Sequence, residues 1–119
     1  MKYSLLLALL VAEVEPAHAV TQLALRVTGY CAGPCRRCGT TGITATGRNA
    51  RRTVGVAVAR RTRRRAVPLG RRVYVRGYGW LRVDDIGGGV QPNQLDLRFR
   101  RHREAQRWGA RVLRVAVRR

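Results

Sequence analysis

The stretch VDDIGGGVQPNQLDLRF, residues 83–99, is the segment around which the rest of this chain is organised. It carries three of the six acidic residues in a sequence of 119 residues, namely Asp84, Asp85 and Asp96. In its second half, apolar residues at 95, 97 and 99 alternate with Asp96 and Arg98, which is the period of two that is typical of a β-strand. Asp96 is therefore predicted to lie on the strand face opposite the apolar row.

Three consecutive glycines, residues 87–89, lie between the acidic pair and Asp96. They lack the Cβ atom that would stop another chain from coming close. A carboxylate before a glycine turn and a carboxylate on the strand that follows the turn can face the same cleft. Paired carboxylates are the usual requirement for cleavage of a glycosidic bond, so this reaction is the first hypothesis.

Short apolar segments with strand periodicity recur along the rest of the chain. They predict strands at 21–28, 54–58, 73–75, 81–83, 94–99 and 112–117. After Phe99, the segment RRHREAQRWGA predicts a short helix, with Ala105 and Trp108 on one face and Gly109 at its end. About six strands, one short helix and many glycine turns predict an all-β closed barrel.

The same residues also resemble a known family. DDIGGGVQPNQLDLRF followed by HREAQRWGARVLRVAV is similar to the signature of the 3D domain, which is named for three aspartates. VPLG at 67–70 and VYVRGYG at 73–79 continue the resemblance, which covers residues 24–117. It implies a six-stranded double-psi β-barrel with one short helix near the C-terminus, spanning residues 20–119. Such barrels occur in bacterial cell-wall lytic transglycosylases and are similar to the catalytic barrel of membrane-bound lytic transglycosylase A.

The resemblance implies a site and a mechanism. Asp96 would protonate the glycosidic oxygen between N-acetylmuramic acid and N-acetylglucosamine, and would then accept the proton of the sugar's 6-hydroxyl as a 1,6-anhydro ring closes. Its pKa must be raised for the first step, and Asp85 is the neighbouring carboxylate expected to raise it. The residues expected to bind substrate are Thr46, Gly87, Gly88 and Tyr78.

The first of the three signature aspartates is missing. Counting back from Pro68 without a gap puts Arg63 in its place, whereas aligning on Ala57 and Val58 puts Ala59 there. Neither choice supplies a carboxylate, and a nearby arginine would oppose a raised pKa of Asp96. We therefore expect weak activity, which Arg63→Asp or Ala59→Asp should raise.

Residues 1–19 read as a secretory signal peptide. Lys2 provides a basic start, an apolar run covers 5–12, and Ala17 to Ala19 match an A-x-A cleavage site. The apolar run is too short to span a bilayer, so we expect an exported protein with no stable membrane insertion after cleavage. We also expect the protein to be a monomer.

The formal net charge of +19 comes almost entirely from arginine, because Lys2 is the only lysine among 25 basic residues. Such a surface binds polyanions through its summed charge. Nucleic acid is the usual partner of this composition, but an exported protein first meets the carboxylates and anionic polymers of the cell wall. We therefore expect peptidoglycan glycan strands as partner, with anionic wall polymers as a further one, rather than nucleic acid.

Three cysteines follow the first strand with the spacing C-x3-C-x2-C: Cys31, Cys35 and Cys38. An exported protein can form disulfides, and Cys31 to Cys35 is the simplest pair. The alternative is a metal site, but structural zinc needs four ligands and His102 is expected in a distant helix. No metal and no cofactor are therefore expected.

Three functions remain open at the level of the sequence. A lytic transglycosylase is favoured by the intact D-x-G-G and L-D-L motifs. A non-catalytic module that binds wall glycan is favoured by the lost aspartate. An exported polyanion-binding protein is favoured by the arginines alone.

Overall fold

The structure, a computed structural model, describes residues 20–39 and 41–118. The proposed signal peptide at 1–19 lies outside these residues and stays a prediction. The described chain forms six strands: β1 (Val20–Cys31), β2 (Val56–Ala59), β3 (Arg72–Val75), β4 (Gly79–Gly87), β5 (Gln94–Phe99) and β6 (Arg111–Arg118). One α-helix, α1 (His102–Trp108), lies between the last two strands, and a 3-10 turn covers Thr62–Arg64.

The six strands close into a barrel in the order β1-β5-β2-β4-β3-β6. Two of the pairs, β1 with β5 and β2 with β4, are parallel, while the other four pairs are antiparallel. This mixed, closed arrangement fits the double-psi β-barrel, so the predicted all-β barrel with one short helix near the C-terminus is confirmed.

The core is built from the apolar side chains that the strand alternation points inward, together with Val67 from the segment between β2 and β3. Its most buried members are Val27, Val56, Val58, Val67, Val73, Val75, Val83, Leu95, Leu97 and Val115. Helix α1 covers the barrel with Ala105 and Trp108, as predicted, and the Trp108 indole donates to the carbonyl of Val27 at 3.1 Å. Gly109, with φ of 68°, ends the helix in a conformation that glycine adopts easily.

Strand β4 carries a bulge at its acidic pair. Val56 of β2 pairs with Val83, but the next residue, Ala57, pairs with Asp85, so Asp84 is the extra residue. Regular alternation after the buried Val83 would place Asp84 outside the barrel and Asp85 inside it. The bulge instead directs Asp85 outward, the kind of local re-aiming that bulges produce beside functional sites.

The segment between β1 and β2 contacts the acidic pair of β4, since Ala45 N–H donates to Asp85 Oδ1 and the Thr46 hydroxyl donates to the carbonyl of Asp84. Residues 42–47, GITATG, form a turn, with Gly47 N–H donating to the carbonyl of Thr44 and an isolated β-bridge joining Ile43 to Asn49. The turn forms because Gly42 and Gly47 both have positive φ, which breaks the extended backbone.

In the described part of the chain, no helix is long and apolar enough to cross a membrane.

Candidate functional site

Asp85 and Asp96 lie in one row across three neighbouring strands. Ala57 of β2 pairs with Asp85 of β4 on one side and with Asp96 of β5 on the other. Paired residues point to the same face of a sheet, so both carboxylates project from the outer face of the barrel. The methyl group of Ala57 is the only side chain between them in this row, which leaves space for a ligand above it.

A cleft of about 670 Å³ opens over this row. Asp85, Asp96 and Ala57 line it, together with the predicted Gly87 and Gly88. A Cβ atom on Gly87 would lie 2.6 Å from Cγ2 of Val90, so the glycine is needed for the turn to close against the barrel.

The Asp96 carboxyl is suited to carry a proton. Burial raises its pKa to about 6, the hydrogen bond from Thr28 lowers it, and the charge of Asp85 raises it. The Thr28 hydroxyl donates to Oδ1 at 2.9 Å, and Gln94 Nε2 donates to the Thr28 oxygen at 2.8 Å. Since a catalytic acid works best with a pKa near the working pH, Asp96 fits that role.

Asp85 accepts three hydrogen bonds from neighbouring segments of the chain. Its Oδ1 accepts from the backbone N–H groups of Ala45 at 3.1 Å and Ile86 at 2.9 Å, and its Oδ2 accepts from the Tyr30 hydroxyl at 2.8 Å. Burial raises the pKa of Tyr30, which keeps its hydroxyl protonated as a donor. Three donors on one carboxylate fix its orientation.

Asp84, the bulged residue, lies beneath this site and is fully buried. Arg98 holds it in a two-bonded ion pair, with Nη1 to Oδ1 at 2.8 Å and Nη2 to Oδ2 at 2.7 Å. Arg48 adds a third bond to Oδ2 at 2.8 Å. Arg98 Nη1 also donates to the Tyr30 oxygen at 3.1 Å, so a chain of hydrogen bonds runs from Asp84 through Arg98 and Tyr30 to Asp85.

Two residues predicted to bind substrate lie away from the cleft lining. Thr46 donates from its hydroxyl to the carbonyl of Asp84 at 3.1 Å and so supports the bulge. The Tyr78 hydroxyl donates to the carbonyl of Arg98 at 2.8 Å, and its ring packs edge-on against Phe99. Both hydroxyls bond to backbone carbonyls next to the site, and the substrate-binding roles of Thr46 and Tyr78 stay predictions.

The two candidate positions for the missing aspartate lie in different places. Ala59 ends β2 and pairs with the cleft residue Gly87. Arg63 lies in the 3-10 turn and faces a separate cavity, so it does not occupy a site beside Asp85. The arginine of this segment that lines the cleft is Arg60. The gapped alignment, with Ala59 at the lost position, is therefore the one that the structure favours.

One end of the cleft is closed by the cysteine loop, residues 31–39, and by the start of α1. The expectation that His102 is distant from the cysteines is wrong, because its Nδ1 lies 3.5 Å from the sulfur of Cys35 and 3.4 Å from that of Cys38. Cys31 Sγ lies 3.3 Å from Cys38 Sγ. The four residues of this Cys₃His cluster are Cys31, Cys35, Cys38 and His102. A disulfide from Cys31 to Cys35 stays a prediction.

Sequence reasoning missed Thr28, Tyr30 and Arg98. Thr28 pairs with Asp96, and Tyr30 pairs with Arg98, along β1 and β5. These four residues therefore lie on the same outer face of the barrel, and the alternation within each strand indicates that face in part. The contacts between them depend on the parallel pairing of β1 with β5, whose paired residues are 68 positions apart in the sequence. The periodicity of a single strand does not specify its partner.

Comparisons with known proteins agree with this architecture. The 3D domain family matches residues 46–118. The chain is 31% identical over 100 residues to the cell wall-binding protein YocH of Bacillus subtilis (strain 168), covering 84% of this chain and 33% of that protein. It is 32% identical over 90 residues to the putative cell wall shaping protein YabE of the same strain, covering 76% of this chain and 21% of that protein. The chain thus spans a third or less of these relatives' length. With its barrel, its glycine turn and its two outward aspartates, the chain belongs to the 3D domain family.

Proposed function

We propose that this protein is an exported lytic transglycosylase that cleaves the β-1,4 bond between N-acetylmuramic acid and N-acetylglucosamine in peptidoglycan, with weak activity. The observation that carries the proposal is the pair of outward carboxylates, in which Asp96 has a pKa raised to about 6 and Asp85 is held as an acceptor of three hydrogen bonds. Acid-assisted glycosidic cleavage needs a pair of carboxyl groups on one cleft, one of them with a raised pKa.

In the first step, protonated Asp96 donates its proton to the glycosidic oxygen, and the bond from that oxygen to C1 of the muramic acid breaks. The side-chain oxygens of Asp85, on the other side of Ala57, stabilise the positive charge that develops at C1. In the second step, the Asp96 carboxylate accepts the proton of the 6-hydroxyl while that oxygen bonds to C1. The product is a 1,6-anhydro ring, no water is consumed, and Asp96 is protonated again.

The supporting groups match these roles. The Thr28 hydroxyl donates to the Asp96 carboxyl, which transfers the proton. Thr28 therefore orients Asp96 and does not itself act as the acid. Tyr30 and the buried Arg98–Asp84 pair orient Asp85 from below. Relatives named for binding or shaping the cell wall support a wall polymer as the ligand and an exported location.

The test is a digest of purified peptidoglycan with the wild-type protein and with Asp96→Asn, read by mass spectrometry. Products that end in 1,6-anhydro-muramic acid, and that are absent with the variant, are expected. A matched control is Glu104→Gln, which removes an exposed carboxylate elsewhere and should leave the products unchanged. Reducing-end products that depend on Asp96 would mean hydrolysis and would contradict the mechanism.

A second candidate is a non-catalytic module that binds wall glycan. Ala59 supplies no carboxylate at the lost signature position, and Arg37 and Arg60 place cations in the cleft, where they suit the peptide carboxylates of peptidoglycan. This candidate predicts sedimentation with peptidoglycan by both the wild type and Asp96→Asn, with no soluble product from either. Release of anhydro products by the wild type would exclude it.

A further inference from the structure

The Cys₃His cluster has a geometry close to that of a metal site. Its four potential ligand atoms lie within 4.8 Å of one another. In a tetrahedral zinc site, bond lengths of about 2.3 Å to sulfur and 2.0–2.1 Å to nitrogen imply separations of about 3.8 Å between sulfurs and about 3.6 Å between sulfur and nitrogen. The sulfurs of Cys31 and Cys38, 3.3 Å apart, and the distances of 3.4 and 3.5 Å from His102 Nδ1 to sulfur are near these values.

Backbone hydrogen bonds hold the cysteine loop in the conformation that forms the Cys₃His cluster. The N–H of Cys31 donates to the Cys38 sulfur at 3.3 Å, and the N–H of Gly39 donates to the carbonyl of Cys35 at 3.3 Å. Bonds from N–H to sulfur stabilise a thiolate and orient it, which is the supporting role that outer groups play around zinc. The N–H of Ala32 donates to the carbonyl of Phe99 at 2.8 Å and ties the loop to the end of β5.

The types of ligand and the charge around the cluster both favour zinc. Three thiolates and one imidazole form a set typical of structural zinc, and a closed set of four protein ligands leaves no open position for catalysis. With Zn²⁺ the site carries a single net negative charge. That charge is favourable beside Arg36 and Arg37 in the loop and Arg101 and Arg103 around His102.

We propose that the Cys₃His cluster binds one structural zinc ion that fastens the cysteine loop to the start of α1. The loop and His102 both line the cleft that holds Asp85 and Asp96, so the metal would fix one wall of that cleft. The loop lies beyond the end of β1 at Cys31, so its residues 32–39 are not part of the strand ladder of the barrel. The proposal does not depend on whether the cleft cuts glycan or only binds it.

The test begins with the wild-type protein, reduced, incubated with zinc and freed of excess metal. Native mass spectrometry and elemental analysis should give one zinc per chain. Replacement by cobalt(II) should give the intense visible absorption of a tetrahedral thiolate site. Bound zinc should protect all three cysteines from alkylation until a chelator is added. A reduced chain that holds no zinc, or cysteines that alkylate equally with and without zinc, would overturn the proposal.

Variants then identify the ligands. Cys35→Ser and His102→Ala should each lose stoichiometric zinc, whereas His102→Cys, which replaces one zinc ligand with another, should retain it. Arg36→Ala is the matched control, because it lies in the same loop and offers no ligand atom. Zinc retained at one per chain in His102→Ala would contradict the four-ligand site. If a variant fails to fold, the wild-type stoichiometry and alkylation pattern still decide the proposal.

Discussion

Replacing Asp96 with asparagine should make the protein more stable at neutral and alkaline pH but not at acid pH. The side chain is largely buried, and its pKa in the folded state is raised from 3.8 to about 6. The folded protein therefore binds this proton more tightly than the unfolded chain does. Asparagine has the same shape, and its Oδ1 can still accept the hydrogen bond from Thr28, so the substitution removes mainly the cost of burying the charge.

The expected change in the free energy of unfolding follows from the shift in the pKa of Asp96. A difference of about two pKa units corresponds to about 3 kcal/mol at 1.36 kcal/mol per unit. Below about pH 4 the carboxyl is protonated in both states and imposes no such cost. Stability is then lost as pH rises between the unfolded and folded pKa values, and above about pH 6 the full cost applies. Asp96→Asn should therefore raise the free energy of unfolding by about 1–3 kcal/mol near pH 8, and by much less near pH 4.

The measurement is urea denaturation of wild type and Asp96→Asn at both pH values. Glu104→Gln is the control, since it removes an exposed carboxylate of the same net charge and should give no gain at either pH. A change of equal size at both pH values, or a loss of stability near pH 8, would refute the assignment of Asp96 as the buried carboxyl with a raised pKa.

Three further predictions concern neighbouring groups. Thr28→Val removes the hydrogen bond that lowers the pKa of Asp96, so the alkaline limb of the pH–activity profile for release of anhydro products should move up by roughly one pH unit. Gly55→Ala would place a Cβ atom 2.6 Å from the buried Asp84 Cγ and should lower the free energy of unfolding by about 1–3 kcal/mol, measured by urea denaturation. Ala59→Asp restores a carboxylate beside the cleft and should increase the rate of product release several-fold in the peptidoglycan digest.

Each of these has a matched control. Thr28→Ser keeps the hydroxyl and should leave the pH profile in place, so an equal shift in both variants would argue against the hydrogen bond. Gly89→Ala adds a Cβ atom with nothing within 4 Å and should be close to neutral; a similar loss there would point to backbone effects. Arg63→Asp makes the same kind of change away from the cleft, and a gain from it alone would favour the ungapped alignment.

The strands and the helix could be predicted because each is encoded by a local pattern. The alternation in QLDLRF matches β5 from Gln94 to Phe99, and the spacing of Ala105 and Trp108 places the buried face of α1. The glycine turn was visible for the same reason, since a run of three residues without Cβ atoms needs no knowledge of the rest of the fold.

The details of the site depend on contacts between distant segments. The bulge at Asp84 decides which of two identical adjacent side chains enters the cleft, and it arises from the pairing with Val56 and Ala57, which no alternation reports. The buried Arg98 looked like one more solvated arginine, because only the fold brings Asp84 against it. The contact between His102 and Cys35 spans 67 residues and closes only when the barrel does.

The most direct test of the central claim is to digest peptidoglycan in water labelled with heavy oxygen and to weigh the released muropeptides. If Asp96 passes the proton of the 6-hydroxyl while the anhydro ring closes, the new ends carry no label and their mass is lower by one water than that of hydrolysis products. New ends that carry the label would show that water attacks C1. The absence of any soluble product from a wild-type protein that still sediments with the wall would contradict catalysis by this cleft altogether.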